Sequence, residues 1–253
     1  MPKRKKNADK STSQIPETGS NASGEKMMSF WDHLEELRGH LLKILVGLVV
    51  AIVLSLVFAN QLLELLAIPI GGLDKLQSIE VTENVAVFMR ISVLAGFILS
   101  LPFTLYQVMA FISPGLEKKE RRWVYLSIPF ATLLFIGGVL FAYFVMLPAA
   151  VPFLVEFMGI ETVPRLSNYM NFILNIIFWI GVCFEIPLVI FILAKLKLVN
   201  ARQLLKNWRI AIIASAVLAA VISPTVDPVN MALLMAPLIG LYLLSILLAA
   251  LAS

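Results

Sequence analysis

From about residue 29 onward the chain is a series of long apolar runs separated by short polar breaks. Trp31, Leu34, Leu37, Leu41 and Leu45 recur at helical spacing, which predicts a helix leading into a first span over about Leu41 to Phe58. Ser29 followed by Asp32 offers a capping pair for its start. Pro69, Gly71 and Gly72 then break the pattern and open a polar connection to about Glu83, long enough to carry a small cap. A second span is expected over about Val87 to Phe111, with Arg90 near one end and Pro102 inside, and a third over about Trp123 to Leu147. A connection bearing Pro148, Pro152 and Pro164 precedes a fourth apolar stretch, about Tyr169 to Leu193. The fifth, Ile210 to Ile222, reaches only about 20 Å as a helix against a hydrocarbon core of about 30 Å. Ser223, Pro224, Asp227 and Pro228 mark a turn, and Met231 to Leu251, interrupted by Pro237, makes the sixth.

Runs of this length point away from the alternating strands of about 10 residues that build membrane barrels. In lipid each backbone group must pair within its own segment or within a closed barrel, so helices are the solution left. The expected fold class is an all-α integral membrane protein with six transmembrane helices. Composition agrees: of 253 residues, 60% are hydrophobic and 14% charged, far from the balance of a soluble domain. Residues 1–27 differ from the rest, being polar and almost without large apolar side chains, and are expected to form a disordered cytoplasmic tail ahead of a membrane domain at 28–253. Lys3, Arg4, Lys5 and Lys6 are followed by a long polar stretch, which argues against a cleaved signal peptide.

The net charge of +4 reflects membrane orientation rather than nucleic-acid binding, because the basic residues fall in short loops between spans. Of the 20 Lys and Arg, only Lys75, Arg90 and Arg165 lie on the side opposite the tail. That bias predicts cytoplasmic N and C termini. A single cysteine, Cys183, builds neither a disulfide framework nor a thiolate metal site, and His33 and His40 are the only histidines. The chain carries no phosphate-binding glycine loop. No cofactor is expected, and no enzymatic chemistry.

Two acidic groups remain as candidate chemistry. One is Asp32, Glu35 and Glu36, where the first helix meets the cytoplasmic surface. The other lies in the hairpin Phe111-Ile112-Ser113-Pro114-Gly115-Leu116-Glu117-Lys118-Lys119-Glu120-Arg121-Arg122 between the second and third spans. Taken alone, each reads as a solvated loop or helix end. If they share one surface, they form a grip for guanidinium groups, since arginine and a carboxylate make two parallel charge-assisted hydrogen bonds. Such bonds contribute about 1.5–3 kcal/mol each when sheltered, and exposed ion pairs about 0–1 kcal/mol, so the site is expected to be recessed.

Several stretches resemble the TatC family of twin-arginine translocase subunits. They are His33-Leu34-Glu35-Glu36-Leu37-Arg38, Thr82-Glu83, Leu105-Tyr106-Gln107-Val108-Met109-Ala110-Phe111 running into Glu120-Arg121-Arg122, Phe141-Ala142-Tyr143-Phe144, and Phe184-Glu185-Ile186-Pro187. The resemblance covers about residues 29 to 240. It implies a concave bundle with short fifth and sixth helices, set in a prokaryotic inner membrane. It also implies a receptor for the paired arginines of export signal peptides, with Glu36 and Glu120 as the matching carboxylates. Phe111 and Leu116 would meet apolar parts of the peptide, and Arg38 and Lys118 would orient the acidic groups. Implied partners are TatA-like and TatB-like single-span proteins, the lipid bilayer and further copies of the chain, with the proton gradient as the energy source.

Glu185 interrupts the fourth span about 15 Å from its cytoplasmic boundary at Lys195. A carboxylate at mid-span costs about 2.5–3.5 kcal/mol on insertion scales, so it is expected to face a wet cavity, a partner or a hydrogen-bonding neighbour. The resemblance implies a lipid-facing pocket that receives a polar residue of a partner helix. A solute or proton transporter using Glu185 is the competing class. The chain shows no inverted repeat to support it.

Overall fold

The computed structural model describes residues 30–115, 118–155, 163–223 and 228–252. The expected tail at 1–27, the Ser29 cap and the turn at Pro224 and Asp227 lie outside the described residues. Among those described, every regular element is helical, and one isolated bridge pairs Gln77 with Arg165. Five helical runs are long and apolar enough to cross a bilayer, and a shorter sixth, Trp208–Ile222, completes the expected set.

Helix α1 (Phe30–Leu56) is a single rod whose apolar side chains mostly face outward: Leu45, Val49 and Val53 are each more than half exposed. That arrangement suits lipid as solvent. The chain then breaks at Val57 and Phe58 and starts a separate helix, α2 (Ala59–Ala67), which buries Ala59, Leu66 and Ala67. The first span was expected to end at about Phe58, as it does, but no helix was expected beyond it. A 3₁₀ turn over Ile68–Ile70 ends on Gly71 and Gly72, whose positive φ values of 96° and 115° suit glycine.

Helix α3 (Glu83–Ile112) packs along α1. Their backbones come close at Gly96, where a Cβ would lie 2.6 Å from Cα of Ile52. Small residues at such crossings let helix backbones meet in lipid, where burial alone gives little drive to associate.

Helix α4 (Lys118–Phe141) follows a short 3₁₀ turn at Ser113–Gly115. It passes through a π-helical turn at Ala142–Met146 into α5 (Leu147–Val155). This corrects one expectation: Pro148 and Pro152 sit within helix rather than in a connection. The wider π turn frees the rung that Pro148 cannot supply, so the helix continues for two further turns.

The fourth span is two helices, α6 (Leu166–Phe184) and α7 (Ile186–Lys195), joined at Glu185. Met170, Ile173, Ile176, Ile177 and Ile180 of α6 are buried at the centre of the core, next to α3 and α4. Helices α8 (Ala201–Lys206) and α9 (Trp208–Ile222) follow. At 15 residues, α9 is about 22 Å long, short as expected. The last helix, α10 (Pro228–Ala252), is longer than the expected short sixth: it has 25 residues and packs on α7 and α9. Pro228 begins it, where a missing N–H costs nothing, and Pro237 is carried inside.

Candidate functional site

The first turns of α1 meet the last turn of α3. Helical spacing puts His33, Glu36 and His40 on one face of α1, two turns from end to end. The His33 ring stacks on Phe111 with centroids 4.5 Å apart and an interplanar angle of 17°. His40 approaches the same ring edge-on at 6.3 Å, and its Nδ1 lies 2.7 Å from Oε1 of Gln107, one turn earlier on α3. Phe111 is therefore clasped between two imidazoles, and the His40–Gln107 hydrogen bond fixes the register of the two helices.

Glu36 stands beside this clasp. Its Oε2 lies 3.6 Å from Nδ1 of His33, too far for a hydrogen bond, and the side chain is 24% exposed. That oxygen is inaccessible to solvent and has no hydrogen-bond partner among the described residues. A secluded carboxylate oxygen without a donor is costly to maintain unless a cation or donor arrives to meet it. Ser113, just beyond Phe111, buries an equally unpartnered Oγ. Arg38 and Glu35 are exposed on α1.

The hairpin candidates are only partly described. Lys118 and Glu120 belong to the first turn of α4, so their backbone lies at the same end of the bundle as Phe111, while their side chains are outside the described residues. Leu116 also lies outside the described residues. The hairpin base is held by Tyr106 against Tyr125 at 6.1 Å, with the Arg121 guanidinium 5.8 Å over the Tyr125 ring.

Glu185 occupies a different place, the α6–α7 junction. Its N–H bonds Val182 O at 3.1 Å, and its own carbonyl accepts from Leu188 and Val189, so the ladder is rebuilt around Pro187 instead of running through it. Its Oε1 is buried with no hydrogen-bond partner among the described residues. The interhelical hydrogen bond that would have given it a plain structural role is not formed there.

At the opposite end of α3, Glu83 organises the connection that the sequence left as a small cap. Its side chain is 1% exposed. The carboxylate accepts from the backbone N–H of Ile79 (2.9 Å), Glu80 (3.3 Å) and Ser167 (2.7 Å), and from Arg165 Nε (3.2 Å). Arg165 also pairs with Glu80 at 2.8 Å. Hydrogen bonds to Glu80 and then Glu83 raise the Arg165 guanidinium further above its already high pKa. Tyr143 and Tyr169 donate to the carbonyls of Leu65 (2.8 Å) and Leu66 (3.0 Å), closing the end of α2. Sequence reasoning had placed Arg165 only as an outside charge. The usable signal was an acidic residue at the first position of an apolar span.

Among the described residues, no three His, Cys, Asp or Glu side chains gather where they could hold a metal ion. Fold and polar chemistry together define a multi-pass helical membrane protein with a recessed acidic and aromatic recess at one end. The model of the family described as Sec-independent protein translocase protein (TatC) matches residues 32–237. A Sec-independent protein translocase protein TatC of Deinococcus radiodurans is 38% identical over 230 residues, covering 86% of this chain and 84% of that one. The Carboxydothermus hydrogenoformans protein of the same description is 34% identical, covering 89% and 94%. A crystal structure described as twin arginine translocase receptor TatC superposes with a TM-score of 0.75 at 32% identity, covering 87% of this chain and 99% of that one. A second, in the detergent DDM, gives 0.78 at 31% identity, covering 86% and 99%.

The chain belongs to the Sec-independent protein translocase TatC family. It is a component of a protein translocase and not an enzyme.

Proposed function

We propose that this chain is the receptor and core scaffold of a twin-arginine export system. Glu36 and Glu120 take the two guanidinium groups of a signal peptide on folded cargo. Phe111 and Leu116 contact its apolar side chains, and Arg38 and Lys118 orient the acidic groups. The observation that carries the reading is the secluded Oε2 of Glu36, unmet by any donor among the described residues, next to the Phe111–His33 stack. A planar cation supplies two donors to a carboxylate while its flat face suits an aromatic neighbour, a combination that lysine's point charge lacks.

The membrane is the prokaryotic inner membrane, with both termini cytoplasmic, as the distribution of Lys and Arg supports. Glu185 meets a polar residue of a TatA-like or TatB-like single-span partner, which the unpartnered Oε1 supports. Copies of the chain associate in the receptor complex, and the proton gradient drives passage of cargo.

The test is photocrosslinking of a twin-arginine peptide to the full chain in membranes. Glu36→Lys combined with Glu120→Lys is expected to abolish capture, whereas Lys75→Glu at the other end leaves it intact. Unchanged capture by the double variant sinks the proposal.

A further inference from the structure

Between α3 and α6 lies an open groove of about 500 Å³ that the recess at Glu36 and Phe111 does not use. Its chemistry is graded along the membrane normal. Arg90 lies about 10 Å along α3 from Glu83, and Asn171 sits near the start of α6, so both fall at the end of the bundle away from Phe111. Seven residues deeper on each helix, about 10 Å further in, stand Phe97 and Phe178, whose rings meet with centroids 5.3 Å apart. The groove is thus polar at its mouth and aromatic at its floor.

Among the described residues, the mouth holds a cation without a counter-charge. Arg90 Nη1 donates to Asn171 Oδ1, which aims the guanidinium and leaves its other N–H groups free to donate. The ion pairs among the described residues join Arg165 to Glu80 and Glu83, and none reaches Arg90. Asn175, one turn below Asn171, is exposed in the same groove. An arginine and an amide at the edge of the acyl region are favoured when something polar meets them there. No carboxylate of the described residues does.

We propose that Arg90, Asn171 and Asn175 bind the phosphodiester of an anionic phospholipid, whose acyl chain descends the trough toward Phe97 and Phe178. Guanidinium presents a planar fork to phosphate oxygens, and the amide of Asn175 adds a donor. The depth of the polar mouth matches the headgroup boundary of the leaflet remote from Glu36. The apolar floor matches one acyl chain, which a free anion would leave empty.

The test uses the purified full chain in detergent, offered phosphatidylglycerol or phosphatidylcholine and examined by native mass spectrometry. Phosphatidylglycerol is expected to be retained preferentially. Arg90→Gln weakens that retention about tenfold and removes the preference, while Arg90→Lys restores part of it. Val93→Trp fills the trough wall with Arg90 intact and also lowers retention, which keeps the proposal testable if Arg90→Gln does not fold. Equal retention of both lipids, or undiminished phosphatidylglycerol binding in a folded Arg90→Gln or Val93→Trp variant, overturns it. So does displacement of the lipid by millimolar inorganic phosphate, which would mark a site for the free anion, or by a carboxylate-bearing transmembrane peptide.

Discussion

Replacing Gly96 with alanine tests whether α1 and α3 meet backbone to backbone. Gly96 is buried, and a Cβ there would fall 2.6 Å from Cα and Cγ1 of Ile52 and 2.7 Å from its N. Carbon atoms rest at about 3.5–4.0 Å, so the methyl arrives about 1 Å too close. Two of the three obstructing atoms are main chain, which cannot swing aside as a side chain does. Overpacking of this kind costs about 1–3 kcal/mol, and alanine recovers about 1 kcal/mol over glycine in a helix. Because main chain is in the way the cost falls at the upper end of that range, about 2–3 kcal/mol, so the net loss is about 1–2 kcal/mol, or a fall of about 2–8 °C in the unfolding midpoint of a chain this size. Because α1 carries Glu36 and His33 while α3 carries Phe111, the same displacement separates the recess and lowers peptide capture. Gly137→Ala is the control: nothing lies within 4 Å of its Cβ position, so stability holds or rises. Size-exclusion chromatography after stepwise heating in detergent reads both. A Gly96→Ala protein that survives heating as well as wild type, alongside an unremarkable Gly137→Ala, refutes the close-contact reasoning.

Further outcomes follow from other contacts. Tyr169→Phe removes the donor to the Leu66 carbonyl and lowers stability by about 1–2 kcal/mol, whereas Tyr143→Phe, at a more exposed bond, costs less than about 1 kcal/mol; heating in detergent ranks the two. Glu83→Gln releases the donors gathered on its carboxylate, and hydrogen exchange of the Ile79, Glu80 and Ser167 amides accelerates several-fold while the amides of mid-α3 do not change. Phe111→Ala removes the stacking surface of His33 and weakens signal-peptide binding roughly two- to tenfold, measurable by titration with a labelled peptide. Glu185→Gln leaves melting equal or higher, since no partner among the described residues is lost, yet diminishes crosslinking to single-span partners; a marked fall in melting would contradict that reading.

The six spans were legible because lipid imposes length and apolarity on each segment alone, and no tertiary knowledge is needed to see them. Boundaries set by packing were harder. The first span was expected to end at Phe58, where polar Asn60 and Gln61 follow, but that a separate helix α2 continues from there and packs on α3 was not legible. Pro148 reads as a stop signal, and only the π turn just ahead of it explains why the helix goes on. At the recess, the acidic group holding Glu36 and the hairpin beginning at Phe111 stood out in the sequence, and resemblance to a family singled out Glu36 and Phe111 within them. The two imidazoles that enclose Phe111 join residues more than 60 positions apart and follow from the α1–α3 register. The spacing of His33, Glu36 and His40 on one helix was the available clue. Arg90 was noted near a span end, but its groove exists only once α6 brings Asn171 and Asn175 alongside.

The knot at Glu83 bears on how the molecule can deform. Four donors from two separate stretches converge on one carboxylate, so each bond is backed by the others and the rim joining the heads of α3 and α6 behaves as a welded seam. Compliance is displaced to the other half of α6. There Pro187 has deleted a rung beside Glu185, and the helix can flex as a hinge does. Any outward swing of α7 and α10 would turn on that pivot while the welded rim keeps its shape.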